Sequence, residues 1–274
     1  MGRPRNLGNL ATGADSSGVL QTSNGGTGST STTFANLATN VTGTLPAANG
    51  GTGLAAPGAN GNVLTSNGTS WISAVAAGGS LINVQYFTTA GSFTYTKTAG
   101  TNKIYCICIG GGGGAAYSVG YGGGGGGAGG TAIKFVSNAS AITTLAVTVG
   151  AAGTSFSSGG NPGGNSTVAF STGTITGFGG SGASSYRFGG AGGTTSNSDI
   201  NLVGGSGSGG YDAYNVDYSG KPGGYPALFG VGGGGAGYFQ TSTNGTFGGG
   251  GGGGSYYQTP GNGGSGLVVF YEYG

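Results

Sequence analysis

Glycine sets the terms for this chain: it fills 74 of the 274 positions, often in unbroken runs such as residues 110–114 and 248–254. Fixing one backbone residue costs roughly 1–2 kcal/mol, and glycine loses more freedom than any other residue. A run of glycine has no side chains to bury in return. Composition of this kind usually signals disorder or a linker. Two features oppose that reading: aromatics make up 10% of the residues, and the net charge is only +2, so self-repulsion does not hold the chain open. Stability must then come from dense backbone hydrogen bonding, close backbone approach or burial between chains. The strict triplet period and abundant proline of collagen are absent, with only 7 prolines. The expectation is a chain that folds as an oligomer.

Charge excludes several classes of partner. The seven Lys and Arg are scattered and form no basic stripe for phosphate, which argues against nucleic acid. No apolar run is long enough to insert in a membrane. The N-terminus, Met1-Gly2-Arg3-Pro4-Arg5, leads into no apolar stretch, so no secretory signal is expected. Cys106 and Cys108 alternate with Tyr105, Ile107 and Ile109 and so share one strand face. Two same-face neighbours on one strand suit buried thiols better than a disulfide. With no histidine in the chain, neither a metal site nor a cofactor is expected.

Two compositions divide the sequence. Residues 1–80 are rich in Thr, Ser, Asn, Ala and Gly, and they repeat: Asn24-Gly25-Gly26-Thr27-Gly28 returns as Asn49-Gly50-Gly51-Thr52-Gly53. Asn-Gly and Gly-Gly mark tight turns between short strands. No single copy can bury a core, so such units need stacking on copies or on other chains, unless the segment is a flexible linker. From residue 81 clear strands begin. They are expected at 82–88, 92–96, 103–109, 131–136, 142–149, 166–171, 174–178 and 267–271, with a hairpin around Gly173. No segment carries a 3.6-residue period, so the fold class is all-β with essentially no helix. Between residues 178 and 266 glycine clusters alternate with polar-aromatic islands. Their ordered options are tight turns or polyproline-II-like segments lying side by side, closer than any Cβ would permit.

Catalysis has little to work with. The acids are Asp15, Asp199, Asp212, Asp217 and Glu272, and there is no histidine to act as a base. Asp212 and Asp217 could form a glycosidase pair but read equally well as turn-capping or ligand-bonding groups, so an enzyme is not expected. Gly-x-Gly-x-x-Gly patterns arise by chance at this glycine frequency, and none opens a helix. The aromatic islands are more informative: Tyr117, Tyr121, Tyr186, Arg187, Tyr211, Asp212, Tyr214, Asp217, Tyr218, Tyr238, Tyr256 and Tyr257 all fall in loop-like sequence. Tyr with Ser, Gly and Asn is the composition of antibody binding loops, where rigid rings give contact area at small entropic cost. Some of these rings are instead expected to cover glycine backbone as a substitute core.

Two stretches carry a resemblance. Val63-Leu64-Thr65-Ser66-Asn67-Gly68-Thr69-Ser70-Trp71 looks like a shaft element of bacteriophage tail fibres, and the two Asn-Gly-Gly-Thr-Gly copies match their shaft repeats. The strands around Tyr86-Phe87 and Phe93-Thr94-Tyr95, the strand 104–109 running into glycine, and the closing Leu267-Val268-Val269-Phe270 after Gly263-Gly264-Ser265-Gly266 resemble the glycine-rich tip of such fibres. The resemblance implies a docking segment over residues 1–20, with Arg3 and Arg5 as contacts for a tail or baseplate adaptor protein. It further implies an intertwined trimeric β shaft over residues 21–80 and a β-sandwich-like receptor-binding tip over residues 81–274. It implies a homotrimer in the virion that binds a host cell-surface glycan or outer-membrane protein. A virion protein needs no export signal, because it leaves with the particle at lysis. A trimeric adhesin on a bacterial surface is the alternative, and an ice-binding or structural glycine-rich protein is another. The last would need flat, regular Thr faces, which the second part lacks.

Overall fold

The computed structural model describes residues 44–49, 51–75, 79–117, 121–185, 187–210, 219–255 and 258–274. The chain parts into two compact units, residues 1–77 and 78–274. In the first, a 3-10 turn (Ala47–Asn49) precedes an antiparallel hairpin of β1 (Asn62–Ser66) and β2 (Trp71–Val75). Asn67 builds the turn, its Oδ1 accepting hydrogen bonds from the amides of Thr69 (2.9 Å) and Ser70 (2.8 Å) while Gly68 takes a φ of 90°. Val63, Leu64, Trp71 and Ile72 remain exposed on this hairpin.

The second unit is a sandwich of two antiparallel five-stranded sheets, as the all-β reading anticipates. Its strands are β3 (Leu81–Phe87), β4 (Gly91–Thr96), β5 (Lys103–Ile109), β6 (Thr131–Val136), β7 (Thr144–Val149), β8 (Ser166–Phe170), β9 (Gly173–Gly177), β10 (Thr195–Ser196), β11 (Ile200–Leu202) and β12 (Leu267–Tyr273). One sheet runs β10-β9-β8-β7-β4 and the other β11-β6-β5-β12-β3. The strands around Tyr86-Phe87 and Phe93-Tyr95 do not pair with each other: β3 joins β12 and β4 joins β7, so the turn at Gly91 carries the chain from one sheet to the other. Their rings meet across the core instead, Phe87 lying 5.4 Å from Phe93.

Alternation decides the core. Leu145, Val147 and Val149 of β7 are buried, as are Cys106 and Cys108 of β5 and Val268 and Phe270 of β12, all packed between the sheets. Tyr95 stacks on Phe270 with centroids 4.0 Å apart. The two cysteines are free thiols. Burial pushes the Cys106 thiol well above its ordinary value and Cys108 up to about 12. Glu272 is 0% exposed, yet among the described residues it carries no ion pair. Its carboxylate accepts hydrogen bonds from the Tyr95 hydroxyl, the Thr98 amide (2.9 Å), the Thr98 hydroxyl (2.6 Å) and Gln85 Nε2 (3.2 Å). Burial alone would raise its pKa, but these four donors outweigh it and hold the carboxyl below its ordinary value. The network ties the last strand of one sheet to the β4 end of the other.

The glycine runs form an ordered lattice. Along residues 110–116 each amide donates in strict rotation to three neighbouring runs. Gly110, Gly113 and Ala116 bond to Gly130, Gly127 and Gly124; Gly111 and Gly114 to Gly164 and Asn161; and Gly112 and Ala115 to Gly264 and Gly261. The carbonyls are taken by further runs: Gly111 and Gly114 accept from Gly180 and Ala183, Gly112 from Gly153, and Gly113 and Ala116 from Gly251 and Gly254. A period of three residues is that of a polyproline II helix, which makes no internal hydrogen bonds and so depends on neighbours. Six runs therefore surround one. Spacing this tight leaves no room for a side chain: a methyl on Gly113 would fall on the carbonyl oxygen of Ser181, and one on Gly126 on that of Gly113. The lattice grows directly out of the sheets, residue 110 following β5, residue 130 preceding β6 and residue 266 preceding β12.

Candidate functional site

The lattice positions the aromatic islands by deciding where each run turns back. Ala116, at the end of the first run, accepts from the amide of Gly254 at 3.1 Å, and Gly254 accepts from Gly123 at 2.8 Å. Gly123 accepts in turn from Lys221 at 3.0 Å, and Lys221 from Gly253 at 2.8 Å. Those four segments are the roots of three loops: residues 117–122, carrying Tyr117 and Tyr121; residues 209–219; and residues 255–259. Two more loops root beside them. Gly190 donates to Gly125 at 2.9 Å at the end of residues 184–189, and Gly220 donates to Ala236 at 2.8 Å before residues 237–242. The Ser255 hydroxyl also bonds the Gln240 carbonyl at 3.0 Å, joining two of these loops directly. The roots of five loops thus lie side by side in the lattice.

They leave it at the end remote from the chain's entry. The second unit begins where it finishes: the amide of Gly79 donates to the carbonyl of Gly274 at 3.2 Å, and Leu81 pairs with Tyr273 beside Lys103. From Lys103 the chain runs up β5 and then through residues 110–116 to Tyr117. At about 3.3 Å per strand residue and 3.1 Å per polyproline II residue, that path is roughly 45 Å.

Among the sequence-derived candidates, Tyr117 and Tyr121 are half-buried, and the Cβ of Tyr117 packs against the backbone at Gly254. Arg187 is exposed, and so is Tyr238, whose ring lies 4.2 Å from that of Phe239. Tyr186, Tyr211, Asp212, Tyr214, Asp217, Tyr218, Tyr256 and Tyr257 lie outside the described residues, as do Arg3 and Arg5. The segments on either side of each of those eight loop positions belong to the clustered roots. Phe188, which the sequence places in one aromatic island with Tyr186 and Arg187, is strongly exposed. One group at this end escapes a sequence reading: Lys221 brings a cation to the root of three loops. A single Lys inside a glycine run forms no pattern, so only the register of the lattice reveals it.

Among the described residues the arrangement offers rings, amides and a few charges. Among the described residues there is no group of three His, Cys, Asp or Glu able to hold a metal ion, and no helix long and apolar enough to cross a membrane. The ionisable groups with displaced pKa values sit in the sandwich. Besides Glu272, Asp199 is held below its ordinary range by hydrogen bonds from Lys134 (2.8 Å) and the Phe135 amide (2.7 Å). Comparison with protein families matches residues 88–273 to a family described as a glycine-rich domain. Comparison with curated proteins gives no match.

Proposed function

Since the chain belongs to the glycine-rich domain family, with the match covering most of the sandwich and lattice, we propose that it is a fibre protein that attaches a phage particle to its host cell, working by binding and not by catalysis. The observation that carries this reading is the polarity of the second unit. The roots of five loops, rich in Tyr, Ser, Gly and Asn, gather at one end, and the chain enters at the other. A particle-borne fibre must hold its contact residues away from its anchor. Tyr rings present flat apolar faces and a hydroxyl, which suits sugar rings and the loops of surface proteins alike. In this reading residues 1–20, with Arg3 and Arg5, dock on a tail or baseplate adaptor, and residues 21–80 form a shaft of three chains. Three tips on one fibre raise weak single contacts to firm attachment through effective concentration.

The test is retention of the labelled full chain on a panel of bacterial strains, with and without enzymatic removal of surface polysaccharide. Binding to some strains, abolished by replacing Tyr256 and Tyr257 together with residues 211–218 by Gly-Ser sequence, is the expected result. Loss on polysaccharide removal identifies a glycan receptor, and retention identifies an outer-membrane protein. Equal binding by the loop-replaced chain would overturn the reading.

A further inference from the structure

A cavity opens at the foot of the second unit, at one corner of the sheet β11-β6-β5-β12-β3. The register explains it. β5 and β6 pair from Ile109 and Thr131 down to Ile104 and Val136, and there β6 stops. Ser137 bends away, so β5 goes on to Lys103 with β12 on one side and, among the described residues, no strand on the other. The space left beside Lys103 is about 610 Å³ and mostly apolar, with Ile104 and Val136 in its lining. Rings make up the rest of the wall: Tyr105 and Phe135, 4.8 Å apart and tilted by 41°, and Tyr273, the partner of Lys103 on β12. A concave, largely apolar space of a few hundred Å³ with a small number of polar groups is the usual form of a small-ligand site.

Four polar side chains line this cavity: Lys103, Tyr105, Ser137 and Tyr273. Among the described residues none of the four makes a side-chain hydrogen bond or an ion pair within the chain. Tyr105 is half-buried, and burial, with Tyr271 and Tyr273 beside it, pushes its hydroxyl above its ordinary value. That hydroxyl stays protonated and able to donate. A polar group in apolar surroundings is costly until a partner meets it, and a ligand with polar groups of its own removes that cost. Lys103 sets the sign of the charge here. Glu272 is fully buried in the sandwich, and Asp199, which accepts from the Phe135 amide, is paired with Lys134 at 2.8 Å. Among the described residues no carboxylate lines the cavity.

We propose that this cavity is a second binding site, which takes one acidic sugar unit, a uronic acid, of a surface polysaccharide. The lining matches that chemistry group by group. The faces of Tyr105 and Phe135 suit the flat C–H face of a pyranose ring. The hydroxyls of Tyr105, Ser137 and Tyr273 meet the sugar's own hydroxyls, and the Lys103 ammonium meets its carboxylate. An aryl or fatty acid would use the rings and the ammonium but leave three hydroxyls unmatched. A neutral sugar would leave Lys103 without a counter-charge. Place separates this site from the loops: Lys103 starts the path of roughly 45 Å that ends at Tyr117. A polysaccharide repeats its unit, so a weak contact here adds to contacts at the loops through effective concentration.

The test is saturation-transfer NMR of the full chain with methyl glucuronide, methyl glucoside and benzoate as probes. The wild type should bind the glucuronide with a Kd on the order of 1 mM. The glucoside and benzoate should bind roughly fivefold more weakly or not at all. Lys103→Gln should remove the preference for the glucuronide, and Phe135→Ser should abolish its signal, both with an unchanged strand signal in circular dichroism, since both positions are exposed. Hydroxyl-radical footprinting of the wild type reads the same site without a substitution: saturating glucuronide should protect Phe135 and Tyr273. A wild type that binds the three probes alike or binds none, a folded Phe135→Ser that binds as the wild type does, or a footprint that ignores the sugar would each overturn the proposal. Benzoate bound more tightly than the glucuronide would overturn it in favour of an aryl acid. The chain with residues 211–218, Tyr256 and Tyr257 replaced separates this site from the attachment reading, and it should lose cell retention while keeping the glucuronide. Loss of the glucuronide from that chain would overturn the second site and leave attachment standing. Glucuronide bound at Phe135 by a wild type that no strain retains would do the reverse.

Discussion

At the residue scale, what matters about each glycine is the atom its missing Cβ would strike. Gly113 faces the Ser181 carbonyl, so Gly113→Ala forces two runs apart. Overpacking of this kind typically costs about 1–3 kcal/mol. Gly234 has only the Thr243 hydroxyl nearby, 3.5 Å from where a methyl would sit, and Gly234→Ala should be neutral or stabilising by up to about 1 kcal/mol through the unfolded chain. Urea melts of the two variants check the pair: equal midpoints would contradict the lattice geometry. Glu272 makes the second residue-scale prediction. A carboxyl whose folded pKa lies below its unfolded value, about 4.3, stabilises above that value and loses its contribution as pH falls through the folded one. Thermal melts should therefore fall off below about pH 4. Glu272→Gln should lower stability at pH 7 by about 1–3 kcal/mol, through donors left unmatched in the core, and should flatten the acid limb. An acid limb as steep as that of the wild type would remove Glu272 from the explanation.

At the element scale, strands and lattice were unequally legible in the sequence. The strands announce themselves: Lys103–Ile109 and Leu267–Tyr273 are rich in β-branched and aromatic residues, and both appear within two residues of their expected bounds. Their pairing does not. Nothing local to Gly91 says that β3 and β4 part into different sheets, because that choice is made by the packing of Phe87 and Phe93 across the core. The lattice is the extreme case. Composition suggests polyproline-II-like runs, yet a glycine run has no side chains to encode which other run it lies beside. The partners of residues 110–116, scattered from residue 124 to residue 264, can be read only from the hydrogen bonds. Those bonds also give the lattice a measurable property. Amides of residues 110–116, 123 and 125–130 should exchange with solvent as slowly as those of β5 and β12, since each is buried and bonded. Exchange at free-peptide rates in the runs, with slow exchange in the strands, would mean that the lattice does not persist in solution.

At the scale of the whole molecule, the second unit has two unlike ends. Both of its termini lie at the foot of the sandwich and the roots of the Tyr-rich loops lie at the head. The individual contact candidates were legible in the sequence as aromatic islands. Their convergence was not, because residues as far apart as Tyr117 and Tyr238 are brought to one end only through the register of the glycine runs. Polarity predicts an asymmetry in tolerance. A fluorescent domain fused after Gly274 should leave cell binding unchanged, whereas the same domain inserted between Tyr256 and Tyr257 should abolish it. Flow cytometry of labelled cells reads both, and a fusion that blocks binding as fully as the insertion would reverse the assignment of the two ends.

The lattice also decides how such a molecule answers to force. Its runs point along the line from foot to head, and their hydrogen bonds cross that line sideways to neighbours on every side. A pull between a held cell and a drifting particle would load those bonds in shear, all together, and no single bond would have to open first as in an unzipping hairpin. A scaffold almost without side chains would then yield late and all at once, behaving under tension more like a short length of fibre than like a folded loop.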